Sequence, residues 1–195
     1  MKLFILRHGS TPLMGRFCGR TDPVLTDEGR MAMEDRSDGR HWPFVFSSPL
    51  KRCADFAISL DAGAILDDGF QELDFGEWEG RETAEIWASD RELLEAFWRD
   101  PDLTPPPGGE KWGVFISRVG AAMDRLLKVV EDQAADEALL ITHAGVMRAL
   151  LVLYVGMPLE ACWNIALPPA SMLELDFMTV EEGVKHKAML TGLAG

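Results

Sequence analysis

Three short apolar runs, each followed at once by polar residues and a helical pattern, constrain the fold of this chain most. The runs cover residues 2–6 (KLFIL), 44–46 (FVF) and 138–142 (ALLIT). They are too short for helices and too uniformly apolar for strands with one face in water, so we expect strands covered on both faces. Strands that alternate with helices indicate an α/β protein, a three-layer α/β/α sandwich around a mostly parallel sheet.

The other predicted elements fit the same alternation. A helix is expected to start at Thr26, and another after Ser48 and Pro49 as N-cap and first helical residue. We predict further strands over residues 64–66, 172–177 and 186–190, and helices over residues 50–60, 84–98, 112–130 and 145–155. Residues 67–110 are predicted to form a small insert of helix and loop over the strand ends, within a single domain spanning residues 1–195.

Charge and cysteine content exclude several classes of protein. The chain has 195 residues and a formal net charge of −13, which argues against a protein that coats nucleic acid or an anionic membrane. Cys18, Cys53 and Cys162 lie far apart, which predicts neither a disulfide framework nor a zinc site and fits a reducing compartment. Because no targeting or membrane-spanning pattern is recognisable, we expect a cytoplasmic protein.

Arginine and histidine residues follow the ends of the three apolar runs. Arg7 and His8 follow the first run, Arg52 lies one turn into the helix after the second, and His143 follows the third. Ligands of such sheets bind at the carboxyl ends of the strands, so we expect these side chains to converge at one edge. Glu72, in the predicted insert, adds a carboxylate to this group.

This combination of charges favours an oxyanion over a metal ion. Phosphate needs positive charge and forked donors, whereas metal sites combine neutral imidazoles with carboxylates. The neighbouring arginines disfavour the protonated imidazole, so His8 is expected to be neutral and is a candidate nucleophile toward phosphorus. We therefore predict a small phosphate ester as the partner, with no metal ion and no other cofactor.

Four motifs taken together resemble the histidine phosphatase superfamily, also called phosphoglycerate mutase-like. They are residues 6–11 (LRHGST), 48–52 (SPLKR), 72–80 (ELDFGEWEG) and 142–146 (THAGV). Within the superfamily, residues 17–22, 74–80, 107–110 and 156–158 look most like the α-ribazole-5′-phosphate phosphatases of cobalamin biosynthesis. One departure from the family concerns an asparagine that usually follows shortly after the first motif, because Met14 stands near that position here.

The resemblance implies hydrolysis of a phosphomonoester in two covalent steps. His8 would become phosphorylated, Arg7, Arg52 and His143 would surround the phosphoryl oxygens, and Glu72 would act as acid and then as base. The implied substrate contacts come from Arg7, Thr11, Cys18, Gly19, Arg52, Glu72, His143 and Ala144. Two alternatives stay open at this point: phosphoryl transfer of the phosphoglycerate mutase type, and a catalytically inactive module that binds a phosphorylated ligand.

Overall fold

A mixed sheet of six strands organises the part of the chain that the computed structural model describes, residues 1–37, 39–178 and 186–195. The strands are β1 (Lys2–Arg7), β2 (Val45–Ser47), β3 (Ile65–Leu66), β4 (Glu137–Thr142), β5 (Met172–Phe177) and β6 (Ala188–Ala194). Their order is β3-β2-β4-β1-β5-β6, with parallel pairs from β3 to β1 and antiparallel pairs from β1 to β6. The predicted α/β fold with a mostly parallel sheet is confirmed.

Helices and helical turns connect the strands. The helices are α1 (Asp27–Ser37), α2 (Lys51–Leu60), α3 (Thr83–Arg99), α4 (Trp112–Asp132), α5 (Ala144–Leu150) and α6 (Leu159–Trp163). A π-helical turn over Leu151–Val155 prolongs α5, and Gly156, with a φ of 73°, ends it. Short 3₁₀ turns lie at Asp68–Phe70 and Gly76–Trp78. Among the helices of the described residues, none is long and apolar enough to cross a membrane.

The apolar strands are covered on both faces, as their uniform composition predicts. Side chains alternate across the sheet, so Leu3 and Ile5 of β1 join one cluster, which contains residues of α4 and α5. Phe4 and Leu6 join the opposite cluster, which contains residues of α1 and α2. All four side chains are at least 96% buried. The two clusters are the two interfaces of the three-layer sandwich.

The start of α2 differs from the prediction. The N-cap of α2 is Leu50, and the helix begins at Lys51, two residues later than the predicted cap at Ser48 implies. The Lys51 N–H donates to Asp22 Oδ1 at 2.7 Å, so a carboxylate from a distant loop satisfies this end of the helix. Ser48 Oγ accepts from the Leu50 N–H at 3.3 Å and also bonds with His143 Nε2. At α1 the predicted cap is confirmed, since Thr26 Oγ1 accepts from the Gly29 N–H at 3.0 Å.

The first part of the predicted insert lies beside the end of β4. Thr142 Oγ1 donates to the Phe70 carbonyl at 2.9 Å. Arg118 of α4 donates to three carbonyls of this segment, those of Gly69, Gln71 and Glu72. Its guanidinium also forms an ion pair with Glu110 at 2.8 Å. Arg118 therefore fixes the backbone that carries Glu72 against the sheet edge.

Candidate active site

A cavity of about 160 Å³ opens at the carboxyl ends of the parallel strands. Six of the predicted site residues line it together: Arg7, His8, Thr11, Cys18, Arg52 and Glu72. Met14 contributes to the same wall and is 47% exposed. The predicted convergence at one sheet edge is therefore what the structure shows.

His8 is held in one tautomer by its own neighbour. Its Nδ1 lies 2.8 Å from the Gly9 carbonyl oxygen, which can only accept, so Nδ1 carries the proton. The Nε2 lone pair is then free. Burial, together with the charges of Arg52 and Arg7, lowers the pKa of His8 to about 3. The imidazole is neutral near pH 7, which is the form that can attack phosphorus.

Arg52 is almost entirely enclosed and is anchored by backbone oxygens. Its Nη groups donate to the carbonyls of Thr21 and Cys18, both at 2.8 Å, and of Gly19 at 3.2 Å. Its Nε donates to His143 Nδ1 at 3.3 Å. Most of its donors are thus occupied by protein acceptors, and Arg52 offers the cavity chiefly a fixed positive charge.

His143 lies behind His8 rather than on the cavity wall. The two ring centroids are 5.2 Å apart, and His143 is fully buried. Because Arg52 can only donate, His143 Nδ1 is unprotonated and Nε2 carries the proton toward Ser48 Oγ, 2.8 Å away. Burial and then the charge of Arg52 lower the pKa of His143 well below its ordinary value. Ser48 is a site residue that sequence analysis interpreted only as a helix cap.

Arg7, Cys18 and Thr11 also line the cavity. The Arg7 guanidinium donates to the Leu167 carbonyl. Its Nε is buried without a partner among the described residues, and burial lowers its pKa. Cys18 is half-buried, and burial raises the pKa of its thiol. Thr11 is 6% exposed, and its hydroxyl oxygen accepts from the Leu13 N–H at 3.4 Å.

Glu72 sits against the first turn of α5. One carboxylate oxygen accepts from the Gly145 N–H at 3.0 Å, and the other accepts from the Leu73 N–H at 2.9 Å. A Cβ atom at Gly145 would lie 2.1 Å from Glu72 Oε1, so only glycine permits this approach. Glu72 is buried and lines the cavity together with Arg52.

Glu79 organises the loop that holds Arg52. Its carboxylate accepts hydrogen bonds from the N–H groups of Gly19, Arg20, Thr21 and Phe75 and from the Thr21 hydroxyl. Gly19 therefore binds Glu79 and Arg52 rather than lining the cavity, and a Cβ there would lie 1.9 Å from the Leu73 carbonyl oxygen. The motif around Glu79 is recognisable in the sequence, whereas this role depends on contacts with distant residues.

The site is suited to an oxyanion. Two features support this: the charges of Arg7 and Arg52, and the free Nε2 of a neutral His8 imidazole. Over residues 1–37, 39–178 and 186–195, no group of three or more His, Cys, Asp or Glu side chains is placed to hold a metal ion. The fold and the site together define an α/β protein with a phosphate-type pocket at the carboxyl ends of its parallel strands.

The chain belongs to the histidine phosphatase superfamily, branch 1, whose sequence profile matches residues 3–187. The bifunctional protein Rv2228c of Mycobacterium tuberculosis is 31% identical over 90% of the chain. The chain spans about half the length of this relative, since the match covers 50% of it.

Two other proteins match over most of their length. An acid phosphatase of Mycobacterium tuberculosis is 30% identical, over 100% of this chain and 93% of its own. The crystal structure of the α-ribazole phosphatase from Shigella flexneri superposes with a TM-score of 0.77 at 25% identity, covering 97% of this chain and 95% of that one. The superfamily members that resemble this chain thus include an acid phosphatase and an α-ribazole phosphatase.

Proposed function

We propose that the protein hydrolyses phosphate monoesters through a phosphohistidine on His8, without a metal ion. The observation that carries this proposal is the tautomer of His8, whose Nδ1 proton is engaged by Gly9 and whose Nε2 is free at the cavity. The nitrogen is neutral, buried and flanked by two cations.

In the first step, His8 Nε2 attacks phosphorus in line with the leaving oxygen. The P–N bond forms as the P–O bond to the alcohol breaks, and the Glu72 carboxyl group gives its proton to that oxygen. Arg7 and Arg52 stabilise the charge that spreads over the three other oxygens. The imidazole of phosphohistidine carries a positive charge, which the Gly9 carbonyl at Nδ1 stabilises.

In the second step, a water molecule attacks the same phosphorus. The Glu72 carboxylate takes the proton of the water, the P–N bond breaks, and inorganic phosphate leaves with His8 neutral again. His143 contributes to this reaction by holding His8 in position. Its ring stands between Ser48 and Arg52 and supports His8 from behind.

The central experiment is to locate the phosphoryl group. After a brief reaction with a phosphate ester, mass spectrometry under basic conditions should place one acid-labile phosphate on His8. His8→Ala should lose turnover while keeping its circular dichroism spectrum, and His41→Ala, at an exposed histidine, serves as the matched control. Phosphate on Thr11 or Cys18 instead would contradict the assignment.

Metal independence has a separate test. Turnover should persist in EDTA, and vanadate should inhibit because it takes the geometry of the transferring phosphoryl group. Loss of activity in EDTA with recovery on adding a divalent ion would contradict this part of the proposal.

For the substrate we propose the 5′-phosphate of a ribosyl base, with α-ribazole 5′-phosphate as the first candidate. Similarity to the Shigella flexneri enzyme and the motifs over residues 17–22 and 74–80 support it. We expect kcat/KM for α-ribazole 5′-phosphate to exceed that for 3-phosphoglycerate by at least about tenfold, or ~1.4 kcal/mol. Parity, or migration of phosphate on 3-phosphoglycerate, would favour the mutase alternative.

A further inference from the structure

A second cavity, of about 130 Å³, adjoins the first. Phe17, Glu72 and Phe75 line both spaces, so these three side chains form the partition between them. The second cavity reaches from this partition toward α3, α4 and α6. None of the roles described so far uses it.

Aromatic rings make up most of its wall. Besides Phe17 and Phe75 they belong to Phe97, Trp98, Trp112 and Trp163. Two charged side chains of the described residues line it, Glu72 and Arg148. Arg148 already donates to protein carbonyl oxygens at 3.3–3.4 Å, and its guanidinium lies 5.1 Å from the Trp163 ring. Such a wall suits a flat apolar group better than a sugar or a carboxylate.

The partition determines which part of a substrate reaches this cavity. If Glu72 protonates the leaving oxygen, the P–O bond that breaks must point from His8 toward Glu72. The carbon skeleton attached to that oxygen then lies beside the second cavity, which shares Glu72 and Phe75 with the first. This step rests on the proposed function.

We propose that the second cavity binds the leaving group and takes one flat apolar ring, such as a phenyl group or the six-membered edge of a fused base. Its volume sets the limit of one ring, because an apolar cavity of roughly 150 Å³ in another protein holds benzene. Trp98, half-buried in α3, is the wall residue that restricts a larger ring system.

The test compares esters whose leaving alcohols have similar acidity, so that demand for the Glu72 proton is matched. In the wild-type protein, kcat/KM for benzyl phosphate should exceed that for ethyl phosphate by about tenfold or more. Trp98→Ala should lower this ratio by about threefold or more and raise the ratio of 1-naphthylmethyl to benzyl phosphate. Misfolding cannot produce the higher ratio of 1-naphthylmethyl to benzyl phosphate, because that change is a gain in activity toward the larger ester.

Trp87→Ala is the matched control. Trp87 packs beside Trp98 on α3, with ring centroids 6.1 Å apart, but does not line the cavity, so both ratios should stay at wild-type values. Equal kcat/KM for benzyl and ethyl phosphate, or the same shift in Trp87→Ala, would overturn the leaving-group site while the phosphatase stands. No turnover of either ester and no phosphate on His8 would overturn the proposed function and this inference together.

Discussion

At the scale of single residues, the site depends on two imidazoles, and the hydrogen-bond partner of each determines which ring nitrogen carries its proton. Gly9 holds the proton of His8 on Nδ1, and Arg52 forces the proton of His143 onto Nε2. Both imidazoles are neutral in an environment of positive charge. The proton chemistry of the proposed reaction is therefore left to Glu72.

Replacing Glu72 by Gln tests whether Glu72 transfers the protons of the proposed reaction. Gln keeps the shape and the acceptor for Gly145 but cannot transfer a proton, so turnover of alkyl phosphates should fall by roughly 10²–10⁴-fold. The loss should be much smaller for p-nitrophenyl phosphate, whose leaving group needs little protonation. Steady-state kinetics on both esters provides the comparison, and equal losses would mean that Glu72 only supports the structure.

Gly145→Ala should reproduce this pattern from a neighbouring residue. The new methyl group would stand 2.1 Å from Glu72 Oε1 and must displace the carboxyl group. We expect a drop of at least tenfold for alkyl phosphates, again smaller for p-nitrophenyl phosphate. Gly120→Ala is the control, because an added Cβ in α4 would meet only Leu153 Cδ1, at an ordinary contact distance of 3.8 Å, and both rates should stay unchanged. A Gly145→Ala protein with wild-type rates would show that the position of Glu72 is not critical.

At the scale of structural elements, the loop over residues 18–22 links the site to the insert. Its carbonyls bind Arg52, its N–H groups bind Glu79, and Asp22 caps α2. Each of these contacts joins segments about 30 to 60 positions apart in the chain. The loop therefore transmits any change at Glu79 to Arg52.

Glu79→Gln should disturb this arrangement. An amide has one acceptor oxygen and no charge, so several of the five hydrogen bonds are lost or weakened, and we expect a stability loss of about 2–3 kcal/mol. Weaker inhibition by vanadate should accompany it, because Arg52 loses its fixed position. Urea unfolding and inhibition assays measure the two effects. Glu77→Gln, at an exposed position of the same turn, should change neither, and a similar loss there would contradict the role of Glu79.

Local sequence patterns predict the features that are determined by neighbouring residues. They miss the features that are determined by contacts with residues far away in the chain. The apolar runs and the Thr26 cap are local signals, and both are confirmed. The α2 cap was misplaced because Asp22, 29 residues away, supplies it. The irregular backbone at Asp90 inside α3 (φ −141°, ψ 45°) has no proline or glycine to signal it. The roles of Ser48, Glu79 and Arg118 likewise depend on contacts that no spacing rule contains.

At the scale of the whole molecule, a chain with a net charge of −13 buries a cluster of cationic and neutral basic groups. Those groups make its stability depend on pH. Burial favours neutral His8 in the folded state, whereas in the unfolded chain the same side chain takes up a proton near pH 6.5. Between pH 6.5 and about 3 the unfolded state binds more protons, so stability falls as the pH falls.

The expected size of this effect is measurable. At pH 5, His8 alone should lower the free energy of unfolding by about 2 kcal/mol relative to pH 7. His143 lowers the free energy of unfolding in the same direction. The free energy of unfolding, measured in urea at both pH values, should therefore fall by about 2 kcal/mol less in His8→Gln than in the wild type. His41→Gln, at an exposed histidine, should lose as much as the wild type. An identical loss in His8→Gln would show that His8 is not buried as a neutral group.

The sheet order also has a consequence for how the protein is made. β1 is the first strand to be synthesised, yet it pairs with β4 on one side and β5 on the other, beginning at Lys2↔Glu137 and Lys2↔Asp176. At ordinary translation rates the ribosome needs on the order of 10 s to add the intervening residues. Throughout that interval the nascent KLFIL segment, with Arg7 and His8 behind it, has no strand to pair with. It is then a binding site for chaperones and a risk for aggregation, and the candidate active site can form only after β4 and β5 have been synthesised.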